Sequence, residues 1–584
     1  MMPPASSVFR FPATRSMFGA CGSNLSAVIG SLRMDTPSPP RSTTSSQSSV
    51  TASTPPAFWS PFRHPVYRWL WFATVVANTG TWMYNAAAGW LMTSLSPSAL
   101  LVSLVQVANS LPMFLFALPA GALADIVDKR RFILALEVLI AAASAVFAAL
   151  VSFELVTPGT LLVFMFLIAV FAALEAPAWQ AIVPQLVPKQ DLGPAIAANS
   201  VGMNISRAIG PALAGLIITG LGMAAPFWLN AVSNVGVIGV FWWWRSRHTP
   251  PRSLPAERVT GAIRTGYRYV RNSRDMRATL ARAVGFFLFA SAYWALLPLV
   301  ARSQLDGGPE LYGMLLGAIG AGAIGGAFAL PKLKARVGAN GLVVAGELGT
   351  AVSLVLFAFA GEPIPAAFAS VIAGMCWIAV LASLNVSAQL ALPDWVRGRG
   401  LAMYVTVFFG TMTLGSLLWG ELASEVGLRW THLIAAAGAL LAVPLTWGWR
   451  LQTSPGLDLA PSMHWPEPVV SEDVEIDAGP VLVSVQYIID PDNRNAFLRA
   501  VDRVAAERKR DGAYAWGIFQ DTADPRRFVE TFLLESWIEH LRQHQRVTRW
   551  DQMVEQEVRQ FLREPVRVMH LIAAEPADDG DARQ

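Results

Sequence analysis

Residues 99–131 have the sequence ALLVSLVQVANSLPMFLFALPAGALADIVDKRR. No charged side chain occurs before Asp125, and Asp128 and three consecutive basic residues then follow. A bilayer core of about 30 Å requires roughly 20 apolar residues in helical form. The stretch therefore predicts a membrane-spanning helix that ends in a charged loop.

Comparable apolar stretches recur from Tyr67 to Arg450, and they predict twelve membrane spans. Hydrophobic residues make up 54% of the chain and charged residues only 14%, whereas an ordinary soluble domain has about 25% charged residues. The expected fold class is an all-α membrane protein of two six-helix bundles with a C-terminal α+β domain. We place the spans at 67–92, 99–124, 132–155, 159–183, 194–220, 224–244, 281–301, 311–331, 341–361, 364–390, 399–422 and 428–450.

The loops between the spans differ in charge. Loops after spans 2, 4, 6, 8 and 10 contain 18 Lys and Arg residues, whereas loops after the odd-numbered spans contain Arg302 and Arg429. Basic loops stay in the cytoplasm because translocating them is costly. We therefore expect a multi-pass protein of the inner cell membrane with both termini in the cytoplasm. The basic excess fits contact with anionic lipid headgroups and not a nucleic-acid surface.

Composition divides the chain into six segments. Residues 1–57 are rich in Ser, Thr and Pro, which predicts disorder. The Arg-rich linker is either an amphipathic helix over 256–276 on the inner membrane surface or a solvated connection. The expected segments are a disordered extension at 1–57, a six-helix bundle at 58–244, a cytoplasmic linker at 245–280, a second bundle at 281–450, a linker at 451–479 and a ferredoxin-like cytoplasmic domain at 480–575.

The last segment has the pattern of a soluble domain. The strand and helix signals occur in the order βαββαβ, which is the ferredoxin-like arrangement. His540 and His544 are spaced as two metal ligands on one helix, but the sequence indicates no third ligand, so we expect no metal. The predicted strands are 481–488, 514–520, 528–534 and 566–572, and the predicted helices are 493–510 and 537–562.

The two halves of the membrane region repeat one another. Glu137 in span 3 and Glu347 in span 9 are each followed ten residues later by a phenylalanine, Phe147 and Phe357. Duplicated halves are typical of transporters in which one bundle rocks against the other around a central site.

The end of span 2 carries a glycine, an aspartate four residues on and a basic cluster: Gly121, Asp125, Lys129 and Arg130. This pattern resembles the loop 2–3 signature of the major facilitator superfamily. A small residue lets helices approach closely, and an aspartate caps a helix or pairs with a base. The resemblance implies a conformational latch. Ile126 and Asp128 depart from the pattern, and Leu330 replaces the aspartate in the second half, so we expect a latch on one side only.

Span 5 contains Gly210, Pro211 and Gly215, which resemble the fifth-helix motif of antiporters in the same superfamily. Ala214 replaces the first of the final glycines. Glycine and proline allow a helix to pack closely and to bend. The resemblance implies export, and plain helix packing is the alternative.

The stretch from Glu175 through Asn204 to Arg207 resembles the exporter branch that includes enterobactin exporters, also called transmembrane secretion effectors. The resemblance covers roughly residues 60–450. It implies a twelve-helix fold and the export of a small molecule in exchange for protons.

Depth in the membrane gives a separate argument for two of these residues. Glu175 and Arg207 both lie about 20 Å from the inner surface at 1.5 Å per residue. An unpaired charge at that depth costs several kcal/mol, so we expect the two to interact. The pair is either a switch that a proton or a substrate anion resets or a permanent ion pair.

Three further residues complete the predicted coupling set, Glu137, Glu347 and Asn204. The two glutamates lie nearer the cytoplasmic ends of their spans. Hydrogen bonding to loop arginines is their alternative role.

The C-terminal domain resembles antibiotic-biosynthesis-monooxygenase-like dimeric barrels in its strand order. The resemblance implies homodimerisation. No catalytic set is evident in this domain, so a regulatory or sensing role is expected.

The sequence therefore predicts a secondary active transporter that exports a small organic molecule, such as a siderophore or a drug, by proton antiport. No Walker-type nucleotide-binding sequence occurs, so the expected energy source is the proton gradient and no cofactor is expected. The expected partners are a small-molecule substrate, protons and membrane lipids, and the chain is not expected to be an enzyme. The alternatives are an exporter fused to an active monooxygenase-like domain, or an importer or sensor.

Overall fold

The computed structural model describes residues 58–244, 259–452, 458–462, 464–465, 474–475 and 478–574. The predicted disorder over 1–57 lies outside these residues, as do positions 245–258 of the Arg-rich linker.

Six helices form the first bundle. Side-chain oxygens of Ser98, Asp128 and Thr157 accept hydrogen bonds from first-turn amides and so fix the starts of α2, α3 and α4. Gly222 ends α5 with a φ of 88°, a left-handed conformation that favours glycine. The helices are α1 (Pro65–Leu95), α2 (Ala99–Ile126), α3 (Lys129–Ser152), α4 (Pro158–Leu186), α5 (Leu192–Leu221) and α6 (Ala225–Trp243).

The second half begins with α7 (Val259–Asn272). Its bundle consists of α8 (Arg274–Leu299), α9 (Pro309–Phe359), α10 (Pro363–Leu390), α11 (Arg397–Val426) and α12 (Leu428–Thr446). Gly338 breaks α9 into two spans because its φ of 71° is not helical. Among the described residues, ten helices are long and apolar enough to cross a membrane, with α9 counted once. Counting both parts of α9 and the 31-residue α1 gives the twelve predicted spans.

The helix of the seventh span begins before the predicted span. The Ser273 side chain accepts from the Met276 amide and starts α8 at Arg274, seven residues before the predicted position 281. The charged residues Arg274, Asp275 and Arg277 therefore lie in the first turns of a helix and not in a loop.

The helices pack as two bundles joined by two helix pairs. In the first bundle α1 packs against α5 and α6, and in the second α9 packs against α10 and α12. Across the bundles α2 packs against α11, and α5 packs against α9. The two-bundle architecture that the sequence predicted is confirmed.

The contacts between the bundles have a common location. We call the end at which α1 begins the terminal face and the opposite end the distal face. The Leu100 amide donates to Ser424 Oγ at 3.1 Å, and the hydroxyls of Ser110 and Thr413 are 2.7 Å apart. These residues lie between the distal face and the middle of their helices, so the described hydrogen bonds between α2 and α11 hold the bundles together on the distal side.

Helices α5 and α9 meet through glycines. A Cβ atom added at Gly215 would lie 2.6 Å from the Pro309 carbonyl oxygen, and one at Gly313 would lie 2.7 Å from the Pro211 carbonyl oxygen. Only a residue without a side chain fits at these positions. The backbones of the two bundles are therefore in direct contact near the distal face.

The soluble domain has the predicted ferredoxin-like topology. Its strands form one antiparallel sheet in the order β2-β3-β1-β4, in which Val481 pairs with Leu534 on one side and Ile572 on the other. The predicted helix 537–562 is two helices, because Val547 is extended and Thr548 with Asp551 forms a new capping box. The elements are β1 (Val481–Ile488), α13 (Arg494–Asp511), β2 (Gly517–Gln520), β3 (Arg527–Leu534), α14 (Trp537–Arg546), α15 (Arg549–Arg559) and β4 (Arg567–Ile572).

Helix α7 connects this domain to the membrane helices. Arg264 pairs with Glu535 at 2.9 Å, and Arg268 donates to the Gly512 carbonyl at 2.9 Å. On the other side of α7, the Tyr269 hydroxyl donates to the Ala391 carbonyl at 2.9 Å. Of the two alternatives for the linker, the structure shows a helix over Val259–Asn272, which contacts protein on both sides. Its position on the inner membrane surface stays a prediction.

The glycine contact between α5 and α9 predicts different effects of alanine at Gly215 and Gly220. Gly215→Ala should destabilise the chain by about 1–3 kcal/mol, the usual effect of overpacking. Gly220 has nothing within 4 Å of an added Cβ, so Gly220→Ala should be neutral or stabilise slightly through helix propensity. Thermal melting in detergent measures both, and equal melting temperatures would contradict the proposed contact.

Candidate functional site

Arg207 lies midway along α5, where the two bundles meet. Its guanidinium carbon is 5.1 Å from the ring centre of Trp82, and its buried Nε has no hydrogen-bond partner in the described structure. The aromatic face partly compensates the buried cation. A cavity of about 10 Å³, enough for about one water, adjoins it. The lining residues are Trp82, Arg207, Pro211, Trp294, Leu316, Ile319, Gly320, Ala323 and Trp377.

The structure does not bring Glu175 and Arg207 together. Among the described residues no ion pair joins them, and the Arg207 side chain instead faces Trp82 of α1. Glu175 on α4 faces α3 within the first bundle, so the two side chains leave their helices in different directions. The predicted pair rested on equal depth in the membrane. Depth does not determine the rotation of a helix about its axis and so does not determine which neighbour a side chain faces.

Glu175 instead contacts Glu137 of α3. The two carboxyl groups lie within hydrogen-bonding reach of each other, and Glu137 is only 7% exposed. A carboxylate can only accept a hydrogen bond, so a bond between two carboxyls requires a proton on one of them. The contact therefore forms a site that can hold one proton between α3 and α4. We call Glu137 and Glu175 the carboxyl pair.

Glu347, the counterpart of Glu137, has a different neighbour. It is 1% exposed, both of its carboxylate oxygens lack hydrogen-bond partners, and it is attracted to the charge of Arg282 on α8. The Arg282 Nε donates to the Trp449 carbonyl at 2.6 Å. Within the described residues neither Glu137 nor Glu347 bonds to a loop arginine, because both side chains point into their bundles.

Asn204 lies one turn before Arg207 on α5, and no hydrogen bond in the described structure joins it to Arg207 or to the carboxyl pair. Its side chain is exposed, and its amide donates to the Ser200 carbonyl of the same helix at 2.8 Å. The Asn204 side-chain amide is therefore hydrogen-bonded within its own helix.

The residues of the predicted latch have separate roles in this conformation. Arg130 donates to the carbonyls of Phe241 and Trp242 at 2.8 and 3.1 Å, which caps the end of α6. An added Cβ at Gly121 would meet nothing within 4 Å, so the expected close helix approach there is not present. Lys129 opens α3 and is partly exposed. The side chain of Asp125 lies outside the described part of the chain.

The glycine motif of α5 lies at two helix contacts. A Cβ added at Gly210 would lie 2.6 Å from the Trp82 Cβ of α1. One turn later, Pro211 and Gly215 face α9. The motif therefore packs α5 against its own bundle and against the other one.

Sequence reasoning missed two further clusters. The two residues of the carboxyl pair lie on different helices, and no residue spacing in the sequence indicates that they are neighbours. His570 on β4 lies next to His540 and His544, so the third imidazole that the sequence did not indicate is present. The predicted strand order places β4 beside β1 but does not indicate that His570 faces α14.

Sequence comparison relates the chain to membrane exporters. Residues 56–577 match the protein family described as transmembrane secretion effector. The multidrug efflux pump Tap of Mycolicibacterium fortuitum is 25% identical over 383 residues, which cover 63% of this chain and 92% of that protein. The staphyloferrin A transporter of Staphylococcus aureus is 25% identical over 362 residues, which cover 61% of this chain and 89% of that protein.

Solved transporter structures share the fold. The nucleoside transporter NupG superposes with a TM-score of 0.56 at 10% identity, covering 66% of this chain and 99% of that chain. A POT family transporter superposes with a TM-score of 0.55 at 13% identity, covering 66% of this chain and 95% of that chain. At these identities the likeness concerns the two-bundle fold alone.

Acidification should destabilise the soluble domain through its histidines. Burial lowers the pKa of His540 from 6.5 to about 3 and that of His544 to about 4. Between pH 6.5 and about 4 the unfolded chain therefore binds protons that the folded chain does not, so the free energy of unfolding falls as pH falls.

Replacing both residues by phenylalanine should reduce this pH dependence. Melting of the full chain from pH 7 to pH 4.5 would measure it. An unchanged slope in the double variant would contradict the effect.

Proposed function

Because the chain belongs to the transmembrane secretion effector family of membrane exporters, we propose that it exports a small organic molecule in exchange for protons. The observation that carries the proposal is the carboxyl pair, a proton-binding arrangement enclosed in a bundle that otherwise consists mostly of apolar side chains. Intramembrane acidic residues that contact one another are typical of proton pathways.

The carboxyl pair supplies a physical basis for coupling. With one proton shared, the two groups attract and hold α3 to α4. Loss of that proton leaves two negative charges in an apolar setting, where their repulsion is far stronger than in water. Deprotonation therefore favours a conformation in which the groups separate, and protonation favours the conformation described above.

Arg207 and its tryptophans form the proposed contact for substrate. The guanidinium has an unused donor, and aromatic rings line the cavity beside it. A cation among aromatic rings suits an anionic or aromatic small molecule, as in a siderophore or a drug. Pro211 of α5 and Gly320 of α9 both line this cavity. A change in the contact between the two helices would therefore alter the proposed substrate site.

In the proposed transport cycle, the distal face and the terminal face are closed in turn. In the conformation described, the α5–α9 and α2–α11 contacts close the distal side. In the opposite conformation Gly121, Asp125, Lys129 and Arg130 would hold the terminal face closed. The excess of basic residues in the loops of the terminal face orients that face toward the cytoplasm. The chain would lie in the inner membrane of the cell.

The soluble domain fits a regulatory role in this scheme. It touches the loop between α10 and α11, where the Arg546 guanidinium lies 4.7 Å from the ring centre of Trp395. Its resemblance to monooxygenase-like barrels remains a prediction, and oxygen consumption by this domain with quinols would favour a fused enzyme instead. The predicted homodimer would use β4, whose Val568, Met569 and Leu571 are 49–55% exposed.

Neutralising the carboxyl pair should uncouple export from the proton gradient. Glu175→Gln and Glu137→Gln should each reduce gradient-driven efflux from cells by roughly tenfold or more, the size of an ordinary coupling between sites. Glu362→Gln, an exposed residue in the loop before α10, is the matched control. Normal efflux in both variants at normal membrane levels would remove the carboxyl pair from the mechanism.

Arg207→Ala should weaken substrate binding and leave proton binding unchanged. We expect weaker substrate binding with an unchanged fold, because the residue contributes a buried cation and no ion pair within the described structure. Binding of substrate to purified protein measures this effect. Equal affinity in the variant would exclude Arg207 from the substrate site.

A further inference from the structure

Three histidines from two elements meet in the soluble domain. His540 and His544 lie one turn apart on α14, and His570 lies on β4. One ring nitrogen of each can be chosen so that all three lie within 4.8 Å of one another. A tetrahedral metal with bonds of about 2.05 Å holds its nitrogen ligands about 3.3 Å apart. The three nitrogens would have to approach by at most about 1.5 Å to bind one ion.

The ring nitrogens of His540 are buried and poorly satisfied in the described structure. The residue is 2% exposed, and neither nitrogen makes a hydrogen bond of ordinary distance and angle. The fully buried Gln543 side chain interacts with the ring, and its amide likewise has no other partner of ordinary geometry. Buried polar atoms without partners are rare because each costs about 1–3 kcal/mol. A ligand between the rings would account for the unpaired nitrogens.

Aromatic packing alone explains the cluster less well. The ring centres of His540 and His544 are 4.7 Å apart, those of His540 and His570 are 4.6 Å apart, and Trp537 packs against His540. Phenylalanine would pack in the same way without burying unpaired nitrogens. Imidazole at all three positions instead provides three nitrogen atoms within 4.8 Å of one another.

We propose that His540, His544 and His570 form a binding site for a divalent transition metal ion of the class that imidazole prefers, such as Zn²⁺. Two of the ligands occupy i and i+4 of one helix, a spacing that places both on the same face. His544 and His570 are partly exposed, which leaves a fourth coordination position open to water or to a small ligand. Gln543 is placed to orient His540 from the next shell.

The test uses the full chain, purified in detergent with a tag that contains no histidine. The protein is stripped with a chelator, dialysed against Zn²⁺ alone, and its metal content is measured. We expect about one tightly bound ion per chain, and near-complete loss of it in His544→Ala and in His570→Ala. His64→Ala is the matched control, because His64 contacts Asp191 at 3.0 Å far from this domain in sequence. Absence of bound zinc in the unaltered chain, or equal zinc in all variants, would overturn the site.

A second measurement needs no variant and so cannot be confused with misfolding. Co²⁺ replaces Zn²⁺ in nitrogen sites and absorbs visible light strongly when it is four-coordinate. Titration of the unaltered chain with Co²⁺ should produce these bands, and Zn²⁺ should abolish them. Faint bands of the hydrated ion throughout the titration would exclude the proposed coordination.

Discussion

A charge enclosed by apolar helices must have a proton, an opposite charge, an aromatic face or water beside it, and this constraint shapes the centre of the molecule. Glu137 and Glu175 meet it through a hydrogen bond that requires a proton. Arg207 meets it with the ring of Trp82, and Glu347 with the charge of Arg282. Each arrangement depends on which helices adjoin one another, so the bundle packing and the chemistry cannot be changed separately.

The packing itself rests on close backbone contact near the distal face. Gly215 and Gly313 allow α5 and α9 to touch, and the adjoining stretch of both helices lines the cavity at Arg207. At the other end, α7 joins the membrane helices to the soluble domain through Arg264 and Tyr269. A movement of one bundle against the other would therefore reach both the proposed substrate contact and the soluble domain.

The sequence predicted the spans and the ferredoxin-like order because both depend on composition and local periodicity. It did not predict which side chains meet inside the membrane. Helix α4 is apolar on nearly every side, so its periodicity does not indicate that Glu175 faces α3 and not α5. His570 was missed for a related reason, since its proximity to His540 arises from the packing of α14 against β4. Gly121 shows a third limit, because its motif predicted a close helix approach whereas an added Cβ there meets nothing within 4 Å.

The central claim is that the carboxyl pair holds a proton inside the first bundle. Infrared difference spectroscopy of the purified chain detects a protonated carboxyl through its C=O stretch, which ionised carboxylates lack. The account predicts such a band at neutral pH that disappears or shifts in both Glu175→Gln and Glu137→Gln and is retained in Glu362→Gln. A spectrum in which neither variant alters a protonated carboxyl band would show that the pair carries no shared proton and would contradict the account.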